Sequence, residues 1–382
     1  MSEFKTVLSD GDLISGSFHR FLPDGCVCCR EGAKMVLFVT GLCPRDCFYC
    51  PLSDDRKNRD VTFANERLIL KGLDSDILKE AEAMNAKGTG ITGGDPILKI
   101  QRTCGYISLL KNHFGQDHHI HLYTSLPADA GQIQMLADAG LDEIRFHPPY
   151  EMWDQLEGSV FEDAIQLAKN AGIIPGFEIP ALCGAEHVAD FAKKMDCFLN
   201  LNELEFSENN VAAMKDRGYS FIDNESNAVL GSLKIAKKIC QKGGKINFCS
   251  SRYKDAVQLR LRLIRTAQKN ARLFDEITSD GTVIYGKVQI RKSFLKEFIT
   301  LLCDLEIPMD AYAVYDAEAG EDDGDFNEFD HFSRVEMAFG ILEELCDIFV
   351  EDNISTFGDI QFWYLERYPF ENGFVVESNR IF

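Results

Sequence analysis

From residue 34 onward, short runs rich in β-branched and aromatic residues alternate with longer amphipathic stretches. Residues 34–40, 89–92, 119–124, 143–147, 173–179 and 198–206 read as strands. Residues 75–87, 97–114, 128–139, 161–171, 186–195 and 227–241 read as helices. Strands that alternate with helices in this way form a parallel sheet with the helices outside. Gly88, Gly140, Gly172 and Gly243 stand where helices should end, as helix caps require. The pattern predicts an α/β fold of six strand–helix units. In parallel α/β barrels the chemistry sits at the C-terminal strand ends, so the loops after these strands are the place to look for it.

The pattern changes after a further predicted helix over 255–272. Asp280-Gly281 reads as a turn between short strands, 292–305 and 333–349 as helices, 317–330 as an acidic loop, and 361–368 with 373–377 as a hairpin. The expected division is an N-terminal extension over 1–33, a core over 34–272 and a small α+β domain over 273–382.

The 382 residues are 45% hydrophobic and 26% charged, an ordinary globular composition. No apolar run approaches the roughly 20 residues of a membrane span. Residues 1–5 lack the basic start and apolar block of a secretory signal, so a cytoplasmic protein is expected, without a membrane role. The net charge of −21 repels phosphate backbones and argues against bulk nucleic-acid binding. A stripe of Arg262, Arg265, Lys269 and Arg272 reads as a solvated face or as partners for local carboxylates, with an anionic substrate or protein partner as the alternative.

Thirteen cysteines in such a chain argue for thiolate ligands or free thiols rather than disulfides. Cys43, Cys47 and Cys50 form a C-x3-C-x2-C triplet directly after the first strand. About 0.015 triplets of this spacing are expected by chance at this cysteine frequency. Thiolates so closely spaced converge on one metal centre, as in iron–sulfur proteins. Three ligands on a four-iron cubane leave one iron open to a substrate or cofactor. A structural zinc site with a distant fourth ligand, or buried thiols, would be the plainer reading.

The motif Cys43-x3-Cys47-x-Tyr49-Cys50 resembles that of the radical S-adenosylmethionine (SAM) enzymes. Residues 26–272 resemble a little-characterised group related to pyruvate formate-lyase activating enzymes. The resemblance implies a partial (β/α)6 barrel, open on one side, and a [4Fe–4S] cluster on Cys43, Cys47 and Cys50. Its open iron chelates the amino and carboxylate groups of SAM. Reductive cleavage of SAM then yields a 5′-deoxyadenosyl radical that abstracts hydrogen from a substrate. The resemblance favours a protein substrate over a small molecule or RNA, and an electron donor such as ferredoxin or flavodoxin.

Further residues follow the strands. Thr92-Gly93-Gly94-Asp95 stands after the second strand, where the family has a Gly-Gly-Glu-Pro segment that contacts the amino group of SAM; Asp95 replaces the usual glutamate. Glycines there permit close backbone approach, although an ordinary turn would use them too. Thr124 and Ser125 end the third strand and offer hydroxyls to a ribose or carboxylate, or simply form a turn. Arg145 in the fourth strand is a candidate to grip the SAM carboxylate, or to sit in an ion pair inside the barrel. Glu178 in the fifth strand orients polar SAM groups or pairs with Arg145. Asn202 and Glu205 in the sixth strand are candidates for the adenine and substrate pocket, and Tyr49 for packing near adenine. His118, His119 and His121 read as surface and core histidines.

The rival readings are an iron–sulfur electron carrier that does not use SAM and a zinc-dependent interaction module. Cys26, Cys28 and Cys29 precede the first strand and are expected at the opposite end of the barrel, about 20 Å from the triplet. They read as unligated thiols, and the expectation is one [4Fe–4S] cluster per chain.

Overall fold

The structure, a computed structural model, describes residues 15–315, 332–351, 354, 356–370 and 373–382. The chain divides into two compact units between Arg262 and Leu263.

The first unit is built on one sheet. Its strands are β1 (Phe18–His19), β2 (Lys34–Phe38), β3 (Thr62–Ala64), β4 (Arg67–Ile69), β5 (Gly88–Thr92), β6 (His119–Thr124), β7 (Glu143–Phe146), β8 (Ile174–Pro180), β9 (Phe198–Asn202) and β10 (Lys245–Cys249). They lie in the order β1-β10-β9-β8-β7-β6-β5-β2-β3-β4. From β2 through β5 to β10 every neighbouring pair is parallel. The hairpin β3–β4 adds antiparallel to β2, and β1 adds antiparallel to β10. β2 and β10 therefore do not pair, and the sheet is an open α/β barrel. All six expected strands are present, with a seventh parallel strand, β10, beyond them. Gly243 and Gly244, both with left-handed backbone, separate β10 from the preceding helix Ser232–Gln241.

The two faces of the sheet differ chemically. Outward residues such as Leu37, Ile91, Ile144, Phe177 and Leu199 are fully buried against the helices and form the main hydrophobic core. Inward residues include Lys34, Tyr123, Arg145, Glu178, Asn200 and Asn247, at period two along their strands. This polar lining surrounds a cavity of about 610 Å³ that residues from all seven parallel strands wall.

A short helix, α1 (Asp24–Arg30), packs against β2, β5 and β6. It sits close because of Gly25: a Cβ there would stand 2.4 Å from His121 Nδ1 and 2.7 Å from Arg145 Nη2. This helix was not legible in the periodicity, being only two turns long and rich in cysteine.

The second unit has an antiparallel sheet in which Val283–Arg291 is central, flanked by Phe332–Met337 and Gln361–Arg367. Helices Leu295–Asp304 and Phe339–Glu351 cover it, with Phe298, Leu342 and Phe349 buried between. The helix expected over 333–349 begins only at Phe339, because Ser333-Arg334-Val335-Glu336-Met337 pairs with the central strand instead. The acidic stretch 317–330 lies outside the described residues. Among the described residues no helix is long and apolar enough to cross a membrane.

Candidate active site

The loop after β2 carries Cys43, Cys47 and Cys50, and all three line the cavity. A turn with Cys50 N–H donating to the Cys47 carbonyl at 3.0 Å folds the loop. The Arg45 N–H lies 3.4 Å from Cys43 Sγ. Aromatic contacts anchor the loop. Phe48 stacks on Tyr219 at 5.9 Å and meets Tyr150 edge-on at 5.9 Å, with the Arg217 guanidinium 4.6 Å over its ring. The Tyr49 hydroxyl lies 2.9 Å from His147 Nε2. The thiols are near neighbours in charge: Cys43 and Cys50 both act on Cys47, whose pKa burial pushes up to about 11. As a free group Cys47 is protonated, so a bound metal must displace its proton.

The loop after β5 closes over the cysteine loop. Gly94 N–H donates to the Thr40 carbonyl and Asp95 N–H to the Leu42 carbonyl, each at 2.7 Å. A Cβ on Gly94 would stand 2.3 Å from the Leu42 carbonyl oxygen and 2.6 Å from that of Gly41. The close approach expected of these glycines is therefore first of all to the cysteine loop itself. Thr92, Gly93 and Gly94 also line the cavity, as do Thr124 and Ser125.

Asp95 is not on the cavity wall. Its carboxylate is fully buried and accepts from Ile97 N–H (3.1 Å), the Thr124 hydroxyl (2.9 Å), and the N–H and hydroxyl of Ser125 (2.8 and 2.7 Å). It ties the end of β6 to the loop after β5.

Arg145 is engaged by carboxylates. Its Nε donates to Glu143 at 2.5 Å, and its Nη1 donates to Glu178 at 2.7 Å and to the Tyr123 hydroxyl at 3.1 Å. Glu178 also accepts from Asn200 (3.0 Å) and Asn202 (2.8 Å). Burial alone would raise the Glu178 pKa, but Arg145 and Asn202 hold it below the usual range. Glu205 pairs with Lys254, and both line the cavity. Arg262 of the basic stripe pairs with Glu66 at 2.6 Å, and Arg272 with Asp275 and Glu336. His118 donates or accepts at Thr89 Oγ1 (2.8 Å), and His121 lies 3.2 Å from the Tyr123 hydroxyl.

The structure differs most from expectation at the N-terminal cysteines. Cys26 and Cys29 line the same cavity as the triplet, because α1 enters the barrel instead of staying below it. Cys28 faces elsewhere: its sulfur would lie 3.2 Å from a Cβ on Gly88. Cys249, which the sequence offered only as a distant partner for these cysteines, lines the cavity too, as do Lys34, Asn247 and Lys254, which were not singled out by sequence. Only the period-two placement of Lys34 and Asn247 on their strands hinted at those two; Lys254 lies in the helical segment after β10.

An open α/β barrel with three thiols and a glycine edge on one polar chamber, at the C-terminal strand ends, is the architecture of an iron–sulfur enzyme. Residues 30–137 match the model of a 4Fe-4S single cluster domain. A protein of Methanocaldococcus jannaschii, named as a candidate glycyl-radical enzyme activating enzyme, is 40% identical over 299 residues, 75% of this chain and 79% of that one. Solved structures of related shape include methylornithine synthase, at TM-score 0.38 and 12% identity over 57% of this chain and 67% of that one. A radical SAM methyltransferase of Kitasatospora setae aligns at TM-score 0.33 and 15% identity over 48% of this chain and 37% of that one, well under half its length. On the strength of the M. jannaschii relative, the chain belongs to the radical SAM superfamily, in the group related to pyruvate formate-lyase activating enzymes. It is an enzyme whose cofactors are a [4Fe–4S] cluster and SAM.

Proposed function

We propose that this chain cleaves SAM reductively and directs the resulting radical at a protein substrate. When bound, the cluster and SAM supply an electron and a sulfonium whose cleavage gives a 5′-deoxyadenosyl radical able to take a hydrogen atom. Cys43, Cys47 and Cys50 are the thiolates for the cluster. The backbone edge at Thr92, Gly93 and Gly94, with Ser125, is the surface for the methionyl part of SAM. Asp95 and Thr124 act behind it, by holding the β6 end in place. Tyr49, fixed by His147, is positioned for the adenine. Glu178, Asn202 and Glu205 form a polar wall for ribose, adenine or substrate. Arg145 keeps that wall charged and ordered through its pair with Glu178, which leaves less of its guanidinium for the SAM carboxylate.

One observation carries this reading: the thiol loop and the glycine edge meet on a single chamber of about 610 Å³. An electron carrier has no use for such a chamber beside its cluster. The name of the M. jannaschii relative supports a protein, an enzyme that works through a glycyl radical, as the substrate. A low-potential donor such as ferredoxin or flavodoxin would supply the electron in the cytoplasm.

The test is anaerobic reconstitution with iron, sulfide, SAM and a strong reductant, with 5′-deoxyadenosine measured by chromatography. Single alanine variants at Cys43, Cys47 and Cys50 should each form none. Turnover retained in any of the three would remove the assignment.

A further inference from the structure

We propose that Cys26, Cys29 and Cys249 hold a second iron–sulfur cluster on the inner wall of the barrel. This goes beyond the SAM-cleaving reading and does not depend on it.

The three residues come to one cavity only in the fold. Cys26 and Cys29 lie three residues apart on α1, so they share one face of that helix. Cys249 ends β10, and its side chain points to the same side of the strand as Asn247, two residues earlier. Cys26 Sγ lies 3.5 Å from Asn200 Nδ2 and 3.7 Å from Asn247 Nδ2, which places it beside β9 and β10, the strand that Cys249 ends. All three thiols line the cavity. The one-cluster expectation set the N-terminal cysteines at the opposite end of the barrel, with Cys249 at a distance; Gly25 seats α1 on the inner wall and β10 brings Cys249 to the same cavity.

Two features of the surroundings suit a metallated thiolate set better than free thiols. Both amide contacts to Cys26 are N–H donors aimed at sulfur, the kind of hydrogen bond that tunes and stabilises cluster thiolates. Close by, the Lys34 side chain lines the barrel interior, its Cδ 3.5 Å from where a Cβ on Gly90 of β5 would stand, and its ammonium has no hydrogen bond or ion pair among the described residues. A cation withdrawn from bulk water needs a counter-charge. Glu178, on which Lys34 acts, supplies part of it, and the thiolates of a cluster would supply more.

Among the described residues no three His, Cys, Asp or Glu side chains close around one point as a single metal ion requires, and this includes Cys43, Cys47 and Cys50. Thiolates of a cluster sit on separate irons, so that spacing is not demanded of either set. With three protein thiolates, the second cluster would also keep one iron open to the chamber.

Counting iron and sulfide after anaerobic reconstitution decides it. The wild-type chain should carry about eight of each, and the Cys43→Ala/Cys47→Ala/Cys50→Ala variant about four. The Cys26→Ser/Cys29→Ser/Cys249→Ser variant should also carry about four, while keeping the electron-spin signal that SAM perturbs. In the variant without the Cys43 set, Lys34→Met should move the remaining cluster to a lower reduction potential. About four irons in the wild type would overturn the proposal, as would none in the Cys43/Cys47/Cys50 variant or zinc uptake there without sulfide. If either triple variant fails to fold, the wild-type count alone decides. Failure of SAM cleavage would leave these counts unchanged, so the two readings fail separately.

Discussion

The Asp95 carboxylate accepts from both the backbone N–H and the hydroxyl of Ser125, at 2.8 and 2.7 Å. It is thus a clasp between the ends of β5 and β6, set behind the chamber wall. Removing a buried carboxylate strands its donors, and hydrogen bonds to charged groups are worth about 1.5–3 kcal/mol each. Asp95→Ala should destabilise the first unit by about 3 kcal/mol in urea titrations. SAM affinity by calorimetry should also fall, although the side chain does not reach the chamber. Unchanged affinity in a folded variant would show that Ser125 has no part in binding.

Gly94→Val should cost the cluster as well as SAM. The added Cβ would meet two backbone carbonyls of the cysteine loop, Leu42 at 2.3 Å and Gly41 at 2.6 Å, and neither is a flexible side-chain end. The brown absorbance after reconstitution should lose the share of the cluster on Cys43, Cys47 and Cys50. A variant with full absorbance and full SAM binding would place the glycine outside the site.

Arg145 is the charge that makes the inner wall tolerable. It lies between Glu143 and Glu178 and is 1% exposed. Arg145→Met leaves two buried carboxylates facing each other, and breaking such a pair costs about 4 kcal/mol. Adding Glu178→Gln should recover part of that loss. Equal stability of the single variant and wild type in denaturant titrations would refute the ion-pair role.

His118 predicts an acid-sensitive limb. Burial, helped by Lys111, lowers its pKa from the ordinary 6.5 to about 4, and its Nε2 is held at Thr89. The unfolded chain therefore takes up the proton first as pH falls. Stability should decline between about pH 6.5 and pH 4 and be insensitive to this group above that window. His118→Gln should flatten that limb in melts recorded across pH. His119 and His121, whose pKa values burial also lowers, will keep part of it.

Much of the architecture was legible in residue order. Strand–helix alternation reports burial on one side of each element, a local property, and six parallel strands followed from it. The Cys43, Cys47 and Cys50 spacing is equally local, since a loop of eight residues brings its own thiols together wherever it lies. The helix read over 333–349 failed for the complementary reason. Its first residues, Ser333 to Met337, are claimed by pairing to Val283–Arg291, a partner more than 40 residues away that periodicity does not see.

What depended on tertiary structure is the chamber. That Lys34, Arg145, Glu178, Asn200 and Asn247 face one another is a consequence of sheet curvature and register, in which each strand contributes one or two inward positions. Asp95 looks like a ligand-facing residue in the motif and turns out to be a clasp, because Thr124 and Ser125 arrive beside it from the next strand. Cys26 and Cys249 stand more than 200 residues apart in sequence. Their proximity rests on Gly25 letting a two-turn helix seat against His121 and Arg145, a contact with no local signature at all. Local spacing determined the three-cysteine loop and the class of fold; long-range packing decided which other side chains share its chamber.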